Sequence, residues 1–272
     1  MRQFKNKYIL LLLIWIILAI IFGIYDLDIS RHFVDQNSVW AKFLQDYGMI
    51  PGLLVILSGI YIYYSLIKTK SDFWSYIQKV VFFLASSGLI FHLFDQLFGI
   101  ITTNHLIIFS IISFSISIII FIVLHMTNQV YNVMAIRYAK VVVGMALFGY
   151  VIFIQVVKHL WGRVRFRELD AAFSQFTPWY LPQGITGSDS FPSGHAAMGW
   201  MLLALLILLA DKKLWVINSA LFIIFIWGVV VASSRVVIGA HYASDVLFGS
   251  YFIIMTFIFF NKNSHQQAPN NK

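Results

Sequence analysis

The chain has 272 residues, 60% of them hydrophobic and 11% charged, with a mean hydropathy of +0.82 and a formal net charge of +8. Soluble domains carry about 25% charged residues, so this composition excludes a soluble protein, and the closely spaced apolar runs leave no separate soluble domain. No cysteine is present, which excludes disulfides, iron–sulfur centres and thiol nucleophiles.

Apolar runs able to cross a bilayer fall at about 8–25, 50–67, 79–98, 105–124, 138–157, 195–210, 214–233 and 241–260. Each approaches the ~20 residues that a ~30 Å hydrocarbon core requires. The first follows Arg2, Lys5 and Lys7, is long enough to span and has no small-residue cleavage pattern behind it, so it reads as a retained helix. The loop at 26–49 mixes Phe33, Val39, Trp40, Phe43 and Leu44 with charges. That suits a short interfacial helix on the outer leaflet and equally suits an ordinary surface loop. The run 79–98 is the weakest span, because His92 and Asp95 lie near its end; treating it and 105–124 as re-entrant gives six spans instead of eight. The connection 158–194 is long and polar, with aromatics at Phe176, Trp179 and Tyr180 suited to the headgroup level, and the tail from 261 to 272 reads as disordered.

Charge tests the count. With eight spans and a cytoplasmic N-terminus, most of the 19 basic residues fall on inside segments, Lys68, Lys70, Arg137, Lys140, Lys212 and Lys213 among them. Asp26, Asp28, Asp35, Asp46 and Asp95 fall outside, a positive-inside bias. The expectation is an all-α polytopic transmembrane bundle of about eight spans with both termini cytoplasmic. The +8 is then topological charge plus one local cluster, and nucleic acid is not a partner.

By the same count three polar clusters share the outer face. In Phe191-Pro192-Ser193-Gly194-His195, the residues Ser193 and Gly194 open a helix whose free N–H groups and dipole favour an anion. Lys158, Arg163, Arg165 and Arg167 form the second cluster, and Ser234-Arg235 through His241 to Asp245 the third, with Gly239 placed for a tight turn. At a spacing of four, His241 and Asp245 share a helix face, so the carboxylate fixes one imidazole nitrogen and frees the other to attack. Lys158, Arg165 and Arg235 converge on the anion, the arginines as forks. A phosphoryl group fits, since its transfer needs little beyond positioning and charge balance; His195 then protonates the leaving oxygen. Plainer readings stand beside these: surface polarity for a histidine at a helix end, lipid-phosphate contact for Arg163 and Arg167, helix packing for Asp245, or a metal held by the His/Asp set. None of HExxH, GxxxxGK[ST] or GxGxxG occurs.

Lys158 and Arg165 six residues on, Pro192-Ser193-Gly194-His195, and Ser234-Arg235 with His241 and Asp245 resemble, in order and spacing, the three signature motifs of the type 2 phosphatidic acid phosphatase (PAP2) superfamily. The resemblance covers residues 138–260, which carry all three motifs, and implies a six-helix core, so that about two of the spans in the N-terminal region 1–137 are additions to it. It implies that His241 is the nucleophile, His195 the acid and Asp245 the orienting partner. Lys158, Arg165, Ser193, Gly194 and Arg235 would bind phosphate, with Ser234 and Arg163 as possible secondary residues. It further implies metal-independent hydrolysis, with no cofactor, of a lipid phosphate or pyrophosphate through a phosphohistidine, at the outer face of a bacterial cytoplasmic membrane. Undecaprenyl pyrophosphate, phosphatidylglycerophosphate, phosphatidate and lipid A are the substrate candidates. The alternatives are a lipid phosphotransferase, a non-catalytic lipid-phosphate binder or transporter, and, more weakly, a haloperoxidase. One position departs from the pattern: Phe166 stands where the family's first motif has proline, which predicts a less preorganised Arg165.

Overall fold

In the computed structural model, which describes residues 2–68, 70–99, 105–127 and 130–266, every regular element is helical. The order is α1 Arg2–Phe33, α2 Val39–Tyr47, α3 Ile50–Ile67, α4 Phe73–Phe98, α5 Leu106–Met126, α6 Val133–Gly144, α7 Val157–Trp161, α8 Gly194–Trp200, α9 Leu214–Val237 and α10 Ala243–Gln266. A π-helical stretch, Met145–Val156, joins α6 to α7, and a 3-10 stretch, Met201–Leu209, extends α8. Among the described residues seven helices are long and apolar enough to cross a membrane, and Gly194–Leu209 is a shorter apolar one. The protein is thus an all-α polytopic membrane protein with seven to eight long apolar helices.

Capping explains several boundaries. Asp72 accepts from the Ser75 N–H at 2.8 Å, so α4 starts several residues before the apolar run at 79 and is a full-length helix rather than a weak one. Asn132 caps α6 in the same way through Ala135. Gly99, at φ 62°, closes α4 in the left-handed conformation that glycine adopts without strain. Two expected boundaries change and one pair of alternatives is decided. The first helix does not end near 25 but continues to Phe33, which makes Asp26 helical and buried. A helix does occupy part of the 26–49 stretch, as α2. The polar tail begins no earlier than 267, since α10 runs to Gln266; 267–272 lie outside the described residues, as do the side chains of Arg2, Lys5 and Lys7.

The helices sort into two compact units. One takes Met49–Ala146, Met201–Ile223 and α10 from Thr256 on. Here small residues let helices close in: a Cβ on Gly59 of α3 would lie 2.4 Å from Val142 of α6. Polar side chains pair across helices, as Tyr138 Oη with Ser58 Oγ at 2.6 Å and Ser86 Oγ with Ser117 Oγ at 3.1 Å. Arg137 donates from Nε to Ser264 Oγ at 3.1 Å and from Nη2 to Asn261 Oδ1 at 2.5 Å.

The other unit comprises α1 and α2, Leu147–Trp200 and Ile224–Met255, and it contains all the candidate site residues. Its apolar centre is Ala19, Phe191 and Phe248, with Trp15, Trp161 and Trp179 packed around them. Trp179 does not sit free at the headgroup level: its Nε1–H donates to the Ala19 carbonyl at 2.9 Å and its ring packs on Phe248 at 4.5 Å. The long polar connection is thereby folded back onto α1 and α10. α10 in turn approaches the Ser193 turn so closely that a Cβ on Gly249 would lie 2.3 Å from the Ser193 carbonyl oxygen. Overpacking of this kind costs about 1–3 kcal/mol. Gly249→Ala should therefore lower the thermal midpoint in detergent by several degrees, whereas Ser250→Ala, which loses only a bond within its own helix, should shift it far less.

Candidate functional site

Three chain reversals build the site. The helix carrying Lys158 stops at Gly162, whose φ of 64° and proximity to the Gly184 carbonyl (2.0 Å from a would-be Cβ) admit no side chain. Lys158 is thereby left on the last turn, buried, with Arg165 three residues past the glycine. At the end of α9, Gly239 takes φ 68°, and the N–H groups of Ala240 and His241 both donate to the Arg235 carbonyl, at 3.0 and 3.1 Å. The hop from Arg235 to His241 is thus folded into one turn. Ser193 precedes α8; its Oγ accepts from the Ala196 N–H at 3.4 Å and its own N–H donates to the Asp245 carbonyl at 3.0 Å.

These reversals gather residues from all three clusters. His195 lies within the electrostatic reach of Arg235, His241 and Lys158, and His241 within that of Lys158, Asp245 and Arg235. Arg235 is 4% exposed, and its Nε and Nη1 have no partner among the described residues. Arg165 Nε is also unpaired, while its Nη2 donates to Asp189 Oδ1 at 2.7 Å and Lys158 Nζ stands 3.9 Å from Asp189 Oδ2. His241 Nδ1 is 3.6 Å from Asp245 Oδ2, beyond hydrogen-bond length. His241 precedes α10 rather than lying on it, so the turn, and not a shared helix face, brings the pair together.

Asp245 is fully buried and multiply held. Oδ1 accepts from Arg163 Nη1 at 2.6 Å; Oδ2 accepts from Ser190 Oγ at 2.5 Å and from the Tyr242 N–H at 2.9 Å. The last bond is a carboxylate in the first turn of α10 reaching back to the residue before the helix, one half of a capping box. Asp26 of α1 supports the same helix start, accepting from the Ser244 N–H at 2.9 Å and from Ser244 Oγ.

Several expected roles move. Arg163, expected as a secondary phosphate ligand or lipid contact, is fully buried and its donors are spent. Nε goes to the Thr177 carbonyl at 2.8 Å, Nη1 to Ser244 Oγ and Asp245, and Nη2 to Asp26 Oδ2 at 2.9 Å. Ser234 Oγ donates back to the Val231 carbonyl at 2.7 Å and is buried within α9. The Ser193 N–H is taken by Asp245, which leaves the first N–H groups of α8, from Gly194 and His195, without an intrahelical acceptor. Arg165, ahead of Phe166, is extended, at φ −72° and ψ 148°, the region that a following proline would also impose. The Phe166 ring instead stacks on Phe173 at 5.6 Å and meets Tyr242 edge-on at 6.4 Å.

Three partners escaped the sequence reading. Asp26 reads from the sequence as an outside acid, and nothing in the sequence singles out Asp189. The third is a backbone group, the Gln45 carbonyl of α2, which accepts from His195 Nε2–H at 3.0 Å. A carbonyl cannot donate, so Nε2 carries the hydrogen and Nδ1 is the nitrogen free for chemistry. No trio of His, Asp or Glu side chains is grouped as a metal set among the described residues. The arrangement offers a basic pocket with unspent guanidinium donors, one imidazole backed by a carboxylate, and a second held by a carbonyl.

Burial, opposed by Asp245 and reinforced by Lys158 and Arg235, lowers the His241 imidazole from 6.5 to about 3. It is therefore neutral at pH 7. Between those values the unfolded chain binds more protons than the folded one. The stabilisation is therefore complete above 6.5 and is lost as pH falls toward 3, by up to about 1.4 kcal/mol per pH unit for one group. The thermal midpoint of the wild type should drop more steeply from pH 6.5 to 4.5 than that of His241→Gln, which does not titrate there; parallel curves would contradict this.

Comparison with known proteins gives one finding. Residues 137–268 match the model of the PAP2 superfamily, a stretch that contains Lys158, Arg165, the Ser193–His195 turn, Arg235, His241 and Asp245. No curated protein and no solved structure gives a match. Over residues 137–268 this membrane protein has the fold of the PAP2 superfamily.

Proposed function

We propose that the protein hydrolyses a lipid phosphate or pyrophosphate by phosphoryl transfer through His241. The observation that carries this reading is Arg235: a buried guanidinium with two unspent donors, beside Lys158, Arg165 and a neutral histidine backed by Asp245. A buried cation with idle donors is costly unless an anion completes it. A phosphoryl group supplies the acceptor oxygens, and the N–H groups of Gly194 and His195 add donors.

In the proposed reaction the His241 nitrogen remote from Asp245 attacks phosphorus and forms a P–N bond. The P–O bond to the lipid breaks, and the departing oxygen takes the Nδ1 proton of His195, which enters this step as the imidazolium, favoured by the bound phosphoryl anion, with Nε2–H still on the Gln45 carbonyl. Asp245 balances the charge gained by the His241 ring. Neutral His195 then accepts a proton from water, whose oxygen displaces His241 from phosphorus and releases phosphate. Lys158, Arg165 and Arg235 hold the equatorial oxygens throughout. In this reading the chemistry takes place at the outer face of a cytoplasmic membrane, with the lipid tail entering between helices; the excess of basic residues on the segments read as inside supports that orientation.

The test is phosphate release in detergent from undecaprenyl pyrophosphate, phosphatidylglycerophosphate, phosphatidate and lipid A, without divalent metal. At least one should be turned over by the wild type at a rate unchanged by a chelator, and none by His241→Ala. Arg235→Gln should weaken inhibition by inorganic phosphate at least tenfold. Equal release from wild type and His241→Ala would end the assignment, and a phosphorylated lipid product instead of free phosphate would make the protein a phosphotransferase.

A further inference from the structure

Asp26 lies in the first helix, 137 residues before its partner Arg163 and outside the stretch that matches the PAP2 model. An aspartate inside an apolar span is unfavourable without a partner or a polar cavity, and such residues are retained for a reason. Asp26 is 0% exposed and both of its oxygens are occupied. Oδ1 accepts from the Ser244 N–H, while Oδ2 accepts from Arg163 Nη2 and Ser244 Oγ. Among the described residues its bonds go to Arg163 and Ser244, and none goes to Lys158, Arg165 or Arg235.

The geometry forms a relay. Arg163 presents Nη2 to Asp26 and Nη1 to Asp245, at 2.9 and 2.6 Å, and its Cζ sits 3.9 Å over the Tyr242 ring. One guanidinium is divided between two carboxylates, and only the second faces His241. Were Arg163 paired with Asp245 alone, its full positive charge would neutralise the carboxylate that must balance the His241 imidazolium. Asp26 draws off part of that charge and fixes the plane of the fork. Asp245 is left net anionic toward His241, with Oδ2 aimed by Ser190 and the Tyr242 N–H.

We infer that Asp26 is a positioning residue for the phosphoryl-transfer step: it acts through Arg163 and Asp245 on His241, so that the first helix completes the site. The inference rests on the reading of His241 as nucleophile. It requires that loss of the Asp26 charge slow the chemical step while leaving the affinity for the phosphoryl group intact.

The experiment measures kcat and KM per folded enzyme, with phosphatidate and undecaprenyl pyrophosphate as probes and the folded fraction taken from size exclusion. Asp26→Asn keeps the shape and the acceptor for Ser244 but removes the charge. It should lower kcat at least tenfold with KM within twofold of wild type. Asp28→Asn, on the same helix but exposed and paired only with Arg31, should change neither. A folded Asp26→Asn with wild-type kcat, or with a raised KM and kcat retained, overturns the inference while leaving the assigned activity standing. If Asp26→Asn does not fold, Arg163→Lys carries the test. It keeps the charge but cannot fork to both carboxylates, so the same loss in kcat supports the relay and an unchanged kcat overturns it. A wild type that releases no phosphate from either probe, nor from phosphatidylglycerophosphate or lipid A, removes both the relay and the activity beneath it.

Discussion

Arg163 is the residue on which the site's unit depends. Its side chain joins α1 to the start of α10, and its Nε holds the Thr177 carbonyl. Its own carbonyl accepts from the Ser190 N–H at 2.9 Å. One buried residue therefore anchors two points of the long 162–193 connection as well as two helices. Removing one partner from such a buried ionic group costs about 3–5 kcal/mol, because the remaining charges are stranded. The two carboxylates also sit at the N-terminus of α10, where the helix dipole favours negative charge. The arrangement is therefore stable for two separate reasons.

On the other side of Asp245 the charge balance reverses. Lys158, Arg165 and Arg235 are cations with few counter-charges, and Asp189 is the carboxylate that Lys158 and Arg165 share. Asp189 occupies for those two residues the place that a substrate anion takes in the proposed reaction. His241 lies between these regions, with the anionic side formed by Asp245 and the cationic side by Lys158 and Arg235. An imidazole so placed is kept neutral by burial and by the cations, and is supported once it becomes positive.

Much of this was legible in the sequence. The span positions followed from apolar length, and the residues that meet in the site followed from three short polar clusters. What could not be read was the partner of each group. The Gln45 carbonyl on His195 belongs to a backbone, and no residue type announces it. Asp26 read as a loop acid because the apolar run gives out near 25, yet the helix continues to Phe33. Arg163 and Arg165 are both arginines two residues apart, and only the reversal at Gly162 decides that one turns inward to carboxylates and the other toward Asp189. Phe166 is a different case. Its chemistry differs from proline, but ring packing against Phe173 and Tyr242 accompanies the same extended backbone at Arg165.

The pairing of Asp26 with Arg163 also bears on how the protein is made. Synthesis runs from the N-terminus, so α1 leaves the ribosome 137 residues ahead of Arg163. During insertion the helix carries a carboxylate with no cation to meet it, a burden of up to about 3 kcal/mol on a segment otherwise strongly apolar. The surrounding run, with isoleucine and leucine at most positions from Ile9 to Ile24, is hydrophobic enough to enter the bilayer regardless. Closure of the ion pair is therefore a late event in biogenesis, possible only once the loop after α7 has been made.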